Sequence, residues 1–154
     1  IGRRVAEVAR AFGAKVIYYS ASGAPAQEGY EQVDFETLLT QSDIISVHAP
    51  LNEHTEGLIN SKAFEKMRSS CIFLNLGRGP IVDEQALYNA LVRNQIAAAG
   101  LDVLCEEPMS ADNPLVQFKD SKRLLITPHI AWASVEARTH LMEIIHGQVK
   151  DFFA

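Results

Sequence analysis

The chain has 154 residues, 47% of them apolar and 21% charged, the size and composition of one soluble globular domain. Disorder, a collagen-like repeat and a disulfide-stapled scaffold are excluded, the last because Cys71 and Cys105 are the only cysteines, a number that fits reduced thiols in the cytoplasm. The net charge of −5 gives no electrostatic reason for nucleic acid or membrane as a partner, and no apolar run approaches the roughly 18 residues of a membrane span.

Ile1-Gly2 runs directly into Val5, Val8, Ala9 and Phe12, an i, i+3, i+4, i+7 stripe that predicts a helix from residue 2 with Gly13 just past its end. A helix that starts there with no preceding turn reads as part of a longer polypeptide. Residues 15–19 (Lys-Val-Ile-Tyr-Tyr) predict a short buried strand, and residues 20–33 a loop. A short helix over 35–40, a strand over 43–48 ended by Pro50, a helix over 61–67 and a strand over 71–76 come next. Gly77-Arg78-Gly79-Pro80 predicts a sharp turn. Asp83 then reads as the N-cap of a helix whose inward stripe is Ala86, Leu87, Ala90 and Leu91. Strands are expected over 97–103 and 124–127, the second stopped by Pro128. Ser134 caps a last helix with Leu141, Ile145, Val149 and Phe152 on one face.

Short apolar strands alternating with helices predict an α/β fold with a parallel sheet covered on both faces. In such sheets ligands bind outside the carboxyl ends of the strands. The polar residues of interest all fall there: Ser20, His48 to Pro50, Gly77 to Gly79, Asp102 to Pro108, and Pro128 to Trp132. Arg78, between two glycines, is either a solvated arginine or a clamp that holds a planar carboxylate by two parallel hydrogen bonds. His129, after a strand end, is a candidate general acid or base, a role worth roughly 10²–10⁴ in rate. Glu107, followed by Pro108, is the acidic residue best placed to favour the charged imidazole. No metal is expected. His48 and His54 lack a partner motif, and His140 and His146 are six apart on a helix and do not share a face. Cys105 reads as a packing residue.

Four stretches together resemble the nucleotide-binding domain of the D-isomer-specific 2-hydroxyacid dehydrogenases. They are residues 1–6; Val47-His48-Ala49-Pro50-Leu51 with Thr55; residues 74–84 (Leu-Asn-Leu-Gly-Arg-Gly-Pro-Ile-Val-Asp-Glu); and Gly100-Leu101-Asp102-Val103 through Glu107-Pro108 to residues 127–131 (Thr-Pro-His-Ile-Ala). The resemblance implies a Rossmann-like, doubly wound parallel sheet that lacks its first strand. It makes residues 1–154 a truncated dinucleotide-binding domain, with about 134–153 a helix bridging to a substrate domain. The implied activity is hydride transfer between NAD(P)H and the carbonyl of a small 2-oxo acid, with no useful turnover from this polypeptide alone. The alternative is a dinucleotide-sensing corepressor of the same fold.

The same resemblance assigns the residues. Arg78 would hold the substrate carboxylate, His129 would protonate the carbonyl oxygen, and Glu107 would keep His129 charged and oriented. Related formate dehydrogenases carry an amide in the place of Glu107, so its presence favours a 2-oxo or 2-hydroxy acid. Ile1 and Gly2 would lie at the cofactor pyrophosphate, which suits a helix N-terminus. Ala49 and Pro50 would lie near the adenosine ribose, and Leu76, Gly77, Arg78 and Asp102 near the nicotinamide, with His129 and Ala131 beside them. Ser20 stands where NAD-preferring members carry an aspartate that binds the ribose hydroxyl. Ser20 repels no phosphate, and no arginine occupies residues 21–23 to attract one, so NAD and NADP both stay open, with NAD favoured. A homodimer is also implied.

Overall fold

The computed structural model describes residues 1–23 and 27–153. Among these, the helices are α1 (Gly2–Ala11), α2 (Phe35–Gln41), α3 (Ser61–Lys66), α4 (Glu84–Val92) and α5 (Val135–Phe152). The strands are β1 (Ile17–Tyr18), β2 (Glu31–Gln32), β3 (Ile44–Val47), β4 (Ile72–Asn75), β5 (Ala98–Leu101) and β6 (Leu124–Ile126).

Local chemistry sets the helix ends. Gly13 is left-handed at φ 88°; its N–H donates to the Arg10 carbonyl while that of Ala14 reaches Ala9, the pairing that satisfies the last carbonyls of α1. Asp34, Asn60, Asp83 and Ser134 each accept a first-turn N–H of the adjoining helix, so the expected caps at Asp83 and Ser134 are present.

The strands form two parallel sheets, β1-β2 and β3-β4-β5-β6, a partial Rossmann fold. The stretch expected as loop over 20–33 therefore contains a strand, β2, too short and too polar to read by pattern; residues 24–26 lie outside the described residues. In the larger sheet Ile45, Phe73, Ala99 and Leu124 form one cross-strand row, and Val47, Asn75, Leu101 and Ile126 another. Both rows belong to the side that carries the core with Phe64 of α3 and Leu87 and Leu91 of α4. Phe64 meets Phe73 edge-on at 5.5 Å between ring centroids.

The opposite face is not covered as the alternation predicts. Ile44 is 61% exposed and Leu125 64%, and neither α1 nor α5 contributes a buried residue. Periodicity correctly marks the apolar stripes of those two helices, but within the described residues none of their side chains is buried. Among the described residues no helix is long and apolar enough to cross a membrane.

Candidate active site

Because β3 to β6 run parallel, the segments after them emerge on one edge of the sheet. Each is shaped by a buried polar side chain at or near the strand end.

After β3, Thr55 is buried; its hydroxyl donates to the Pro50 carbonyl at 2.7 Å and accepts the Asn52 N–H at 2.9 Å, closing residues 50–55 into a tight loop. His48 Nε2 lies 2.9 Å from the Ser46 hydroxyl, and burial pulls the imidazole below its ordinary pKa.

After β4, Asn75 is 1% exposed and organises the arginine turn. Its side-chain oxygen accepts the Gly77 N–H at 3.1 Å, and its amide nitrogen donates to the Arg78 carbonyl at 3.0 Å. Neither Gly77 nor Gly79 is left-handed, so their smallness serves close approach rather than backbone freedom. A Cβ on Gly77 would lie 3.1 Å from the Ala49 carbonyl oxygen, and one on Gly79 would overlap the Leu104 carbonyl. The Arg78 side chain is exposed and donates to the Gly77 carbonyl at 2.8 Å.

After β5 and β6 come the titrating groups. His129 Nδ1 and Glu107 Oε2 are 2.7 Å apart, and Glu107 Oε1 accepts the Leu104 N–H at 2.9 Å. That N–H and then the His129 ring hold the Glu107 carboxyl below its ordinary pKa. Both carboxylate oxygens are thus engaged, which fixes the imidazole by one nitrogen and leaves Nε2 without a partner among the described residues. The Glu107–Pro108 peptide bond is cis.

His129 itself is left-handed, φ 54°, a conformation that costs a non-glycine residue on the order of 1 kcal/mol and is held only by its surroundings. Asp102 supplies the hold. It is 3% exposed; Oδ1 accepts the Thr127 hydroxyl at 2.6 Å and the Ile130 N–H at 2.9 Å, and Oδ2 the Ala131 N–H at 2.9 Å. Burial alone would raise its pKa; the Thr127 hydroxyl and the two amides more than offset that and hold it low. Trp132 adds a bond from its indole N–H to the His129 carbonyl at 2.9 Å.

A cleft of about 460 Å³ lies beside these segments, lined by Ile1, Ala49, Pro50, Leu76, Gly77 and Arg78 together with His48 and Leu51. The structure thus brings together six of the residues expected to hold a cofactor, and pairs Glu107 with His129. Gly2 begins α1 against His48, where a Cβ would stand 3.3 Å from the imidazole's own Cβ. Ser20 follows β1 of the smaller sheet, its hydroxyl 3.2 Å from that of Ser22. The carboxylate of Asp102 is occupied by its own chain, so its visible work is to shape the His129 segment. Sequence reasoning gave no role to Asn75, Thr127 or His48. For Asn75 the signal was available: an amide at an inward position of an apolar strand.

Cys105, read as a packing residue, is instead exposed, and partial burial with the charge of Glu84 pushes its thiol up to about 11. Among the described residues no group of three or more His, Cys, Asp or Glu is arranged to hold a metal ion.

A parallel α/β sheet with a cleft and a histidine–carboxylate pair at its carboxyl edge defines a nucleotide-binding type of domain. The chain belongs to the D-isomer specific 2-hydroxyacid dehydrogenase family, NAD binding domain, whose profile matches residues 1–131. It is 43% identical over 154 residues to the hydroxypyruvate reductase of Blautia hydrogenotrophica, covering 99% of this chain and 47% of that protein. Among solved structures it is similar to D-lactate dehydrogenase from Aquifex aeolicus complexed with NAD and lactic acid, with TM-score 0.90, 30% identity, and coverage of 99% of this chain and 50% of the other. It is also similar to an acyclic imino acid reductase, Bsp5, in complex with NADPH and D-Arg, with TM-score 0.88, 38% identity, and coverage of 99% and 48%. The chain spans about half the length of the curated relatives it matches.

Proposed function

We propose that this chain is the cofactor-binding half of an NAD(P)-dependent 2-hydroxyacid dehydrogenase that reduces a small 2-oxo acid such as glyoxylate, hydroxypyruvate or pyruvate. The observation that carries the reading is the Glu107–His129 pair, whose free Nε2 stands at the same sheet edge as Arg78.

The residues fit a dinucleotide. Ile1, the N-cap of α1, lines the cleft and makes no side-chain bond to the first turn, and a helix N-terminus suits an anion. Gly2 and Gly77 leave room along the cleft that a Cβ would fill. Ile1, Gly2, Ala49, Pro50, Leu76 and Gly77 would hold the cofactor, with Ser20 at its adenosine end; Asp102 and Ala131 shape the wall from which His129 acts. When bound, the reduced nicotinamide supplies the hydride.

The chain's own groups then have three tasks. The Arg78 guanidinium binds the substrate carboxylate by paired, charge-assisted hydrogen bonds and orients the adjacent carbonyl. His129 gives its Nε2 proton to the carbonyl oxygen as negative charge develops there, and accepts it in the reverse direction. Glu107, accepting from Nδ1–H, fixes the tautomer and stabilises the imidazolium. With Ser20 in place of a charged discriminator, both NAD and NADP are accepted, NAD the better. The intact protein is a cytoplasmic homodimer, and residues 134–153 bridge toward the substrate-binding part.

The test is oxidation of NADH and NADPH by the intact protein with a panel of 2-oxo acids, beside cofactor binding monitored by nicotinamide fluorescence. Turnover with at least one 2-oxo acid is expected; tight cofactor binding without turnover on any would contradict the enzyme reading.

A further inference from the structure

We propose that Glu84 is a positioning residue that locks the Arg78 turn and the Glu107 loop into one unit. This rests on the reading of Glu107 as the partner that orients His129.

Glu84 is the first residue of α4, and the cap of that helix is already made by Asp83, whose Oδ1 accepts the Ala86 N–H at 2.9 Å. The Glu84 side chain leaves the helix. Oε1 accepts the Cys105 N–H at 2.8 Å and Oε2 accepts from the Asn113 amide nitrogen at 2.7 Å, contacts 21 and 29 residues along the chain. Asn113 spends its other amide atom on the Leu115 N–H, which starts the 3-10 turn Pro114–Gln117. One carboxylate therefore ties both sides of the loop that carries Glu107 to the helix just after the arginine turn.

The peptide next to Glu107's anchor is held from several directions. The Leu104 N–H donates to Glu107, and the Leu104 carbonyl packs on Gly79, where no Cβ fits. The next N–H, of Cys105, goes to Glu84, and the Cys105 thiol approaches the Val82 carbonyl at 3.6 Å. Arg78 is the residue before Gly79, and Val82 lies two before Glu84. Movement of residues 104–105 shifts the N–H that holds Glu107 and presses on the backbone beside Arg78. The role calls for a group with two acceptor oxygens facing two donors, which a carboxylate meets and an amide or hydroxyl does not. A glutamate that merely faced the positive end of α4 would have no need of either contact.

The experiment is an NMR titration of the Glu107 carboxyl in the intact protein, wild type against Glu84→Ala, Glu84→Gln and His129→Ala, with steady-state kinetics of each. In Glu84→Ala the Glu107 titration moves up toward the ordinary carboxylate value, because the Leu104 N–H is no longer held on it. In the same variant kcat falls about tenfold to a hundredfold while KM for the nicotinamide cofactor changes less than about twofold. Glu84→Gln keeps the acceptor for Cys105 and sets two donors against each other at Asn113, so it falls between; it carries the test should the alanine variant not fold. An unmoved Glu107 titration and unchanged kcat, with only the melting temperature lowered, would overturn the proposal. His129→Ala separates the two claims. If it raises the Glu107 titration while the Glu84 variants do not, the positioning role alone falls; if it does not, the histidine–carboxylate reading falls and takes the proposal with it.

Discussion

The four-stranded half of the molecule and its periphery obey different physics. Between β3 and β6 the strands present Phe73, Ile45 and Leu101 to α3 and α4, and the largest side chains there are fully buried. In α1 and α5 the apolar stripes are equally regular, yet Val8 is 50% exposed, Val149 51% and Phe152 82%. A stripe at helical spacing tells which face is apolar. Whether that face stabilises anything depends on the surface packed against it, and in this chain the stabilising contacts sit on one side of one sheet.

The largest effect should separate the halves outright. Phe73→Ala, at a site with no exposure and an edge-on ring partner, should cost about 3–5 kcal/mol in the 154-residue chain. Phe152→Ala in the same chain should change stability by less than about 0.5 kcal/mol. Urea unfolding of both variants checks this, and equal losses would mean that α5 packs on the domain.

The next effect concerns Asp102, the buried carboxylate at the boundary between core and site. Asp102→Asn turns one acceptor into a donor facing the Thr127 hydroxyl or a backbone N–H, at a cost of about 2 kcal/mol. Its depressed pKa sets the pH dependence: the folded carboxyl binds protons less readily than the unfolded one. Its stabilisation is therefore complete above the ordinary value of 3.8 and is lost as the pH falls below that, through the lower folded value. Thermal melts from pH 6 downward should show this acid loss in the wild type and a weaker one in the asparagine variant.

A smaller effect compares two caps of the same kind. Asp83→Ala should cost about 1 kcal/mol, because the helix it caps buries Leu87 and Leu91. Ser134→Ala removes an equivalent bond from α5, which buries nothing, and should leave the cooperative transition unmoved while lowering helix content. Circular dichroism beside a fluorescence melt distinguishes the two.

Much of this was legible in the residues. The caps at Asp83 and Ser134, the end of α1 at Gly13 and the inward stripe of α4 obey rules that act within a few residues. The placing of Arg78, Glu107 and His129 after strands was equally readable, since parallel strands all release the chain at the same edge of the sheet. The features that could not be read depend on contacts far apart in sequence. β2 is two polar residues that become a strand only because β1 lies beside them, and the open face of the larger sheet is invisible to periodicity. In the site, a pattern can nominate Glu107 and His129. It cannot show that Asp102 spends its oxygens on residues 127–131, or that Gly79 is needed because Leu104 presses against it.

The central claim is that Arg78 binds the substrate and His129 moves the proton, and a division between KM and kcat tests it most directly. In the intact protein, Arg78→Ala should raise KM for the 2-oxo acid by about a hundredfold or more, and His129→Ala should lower kcat by roughly 10²–10⁴ with cofactor affinity kept. Wild-type kcat and KM in both variants would contradict the account.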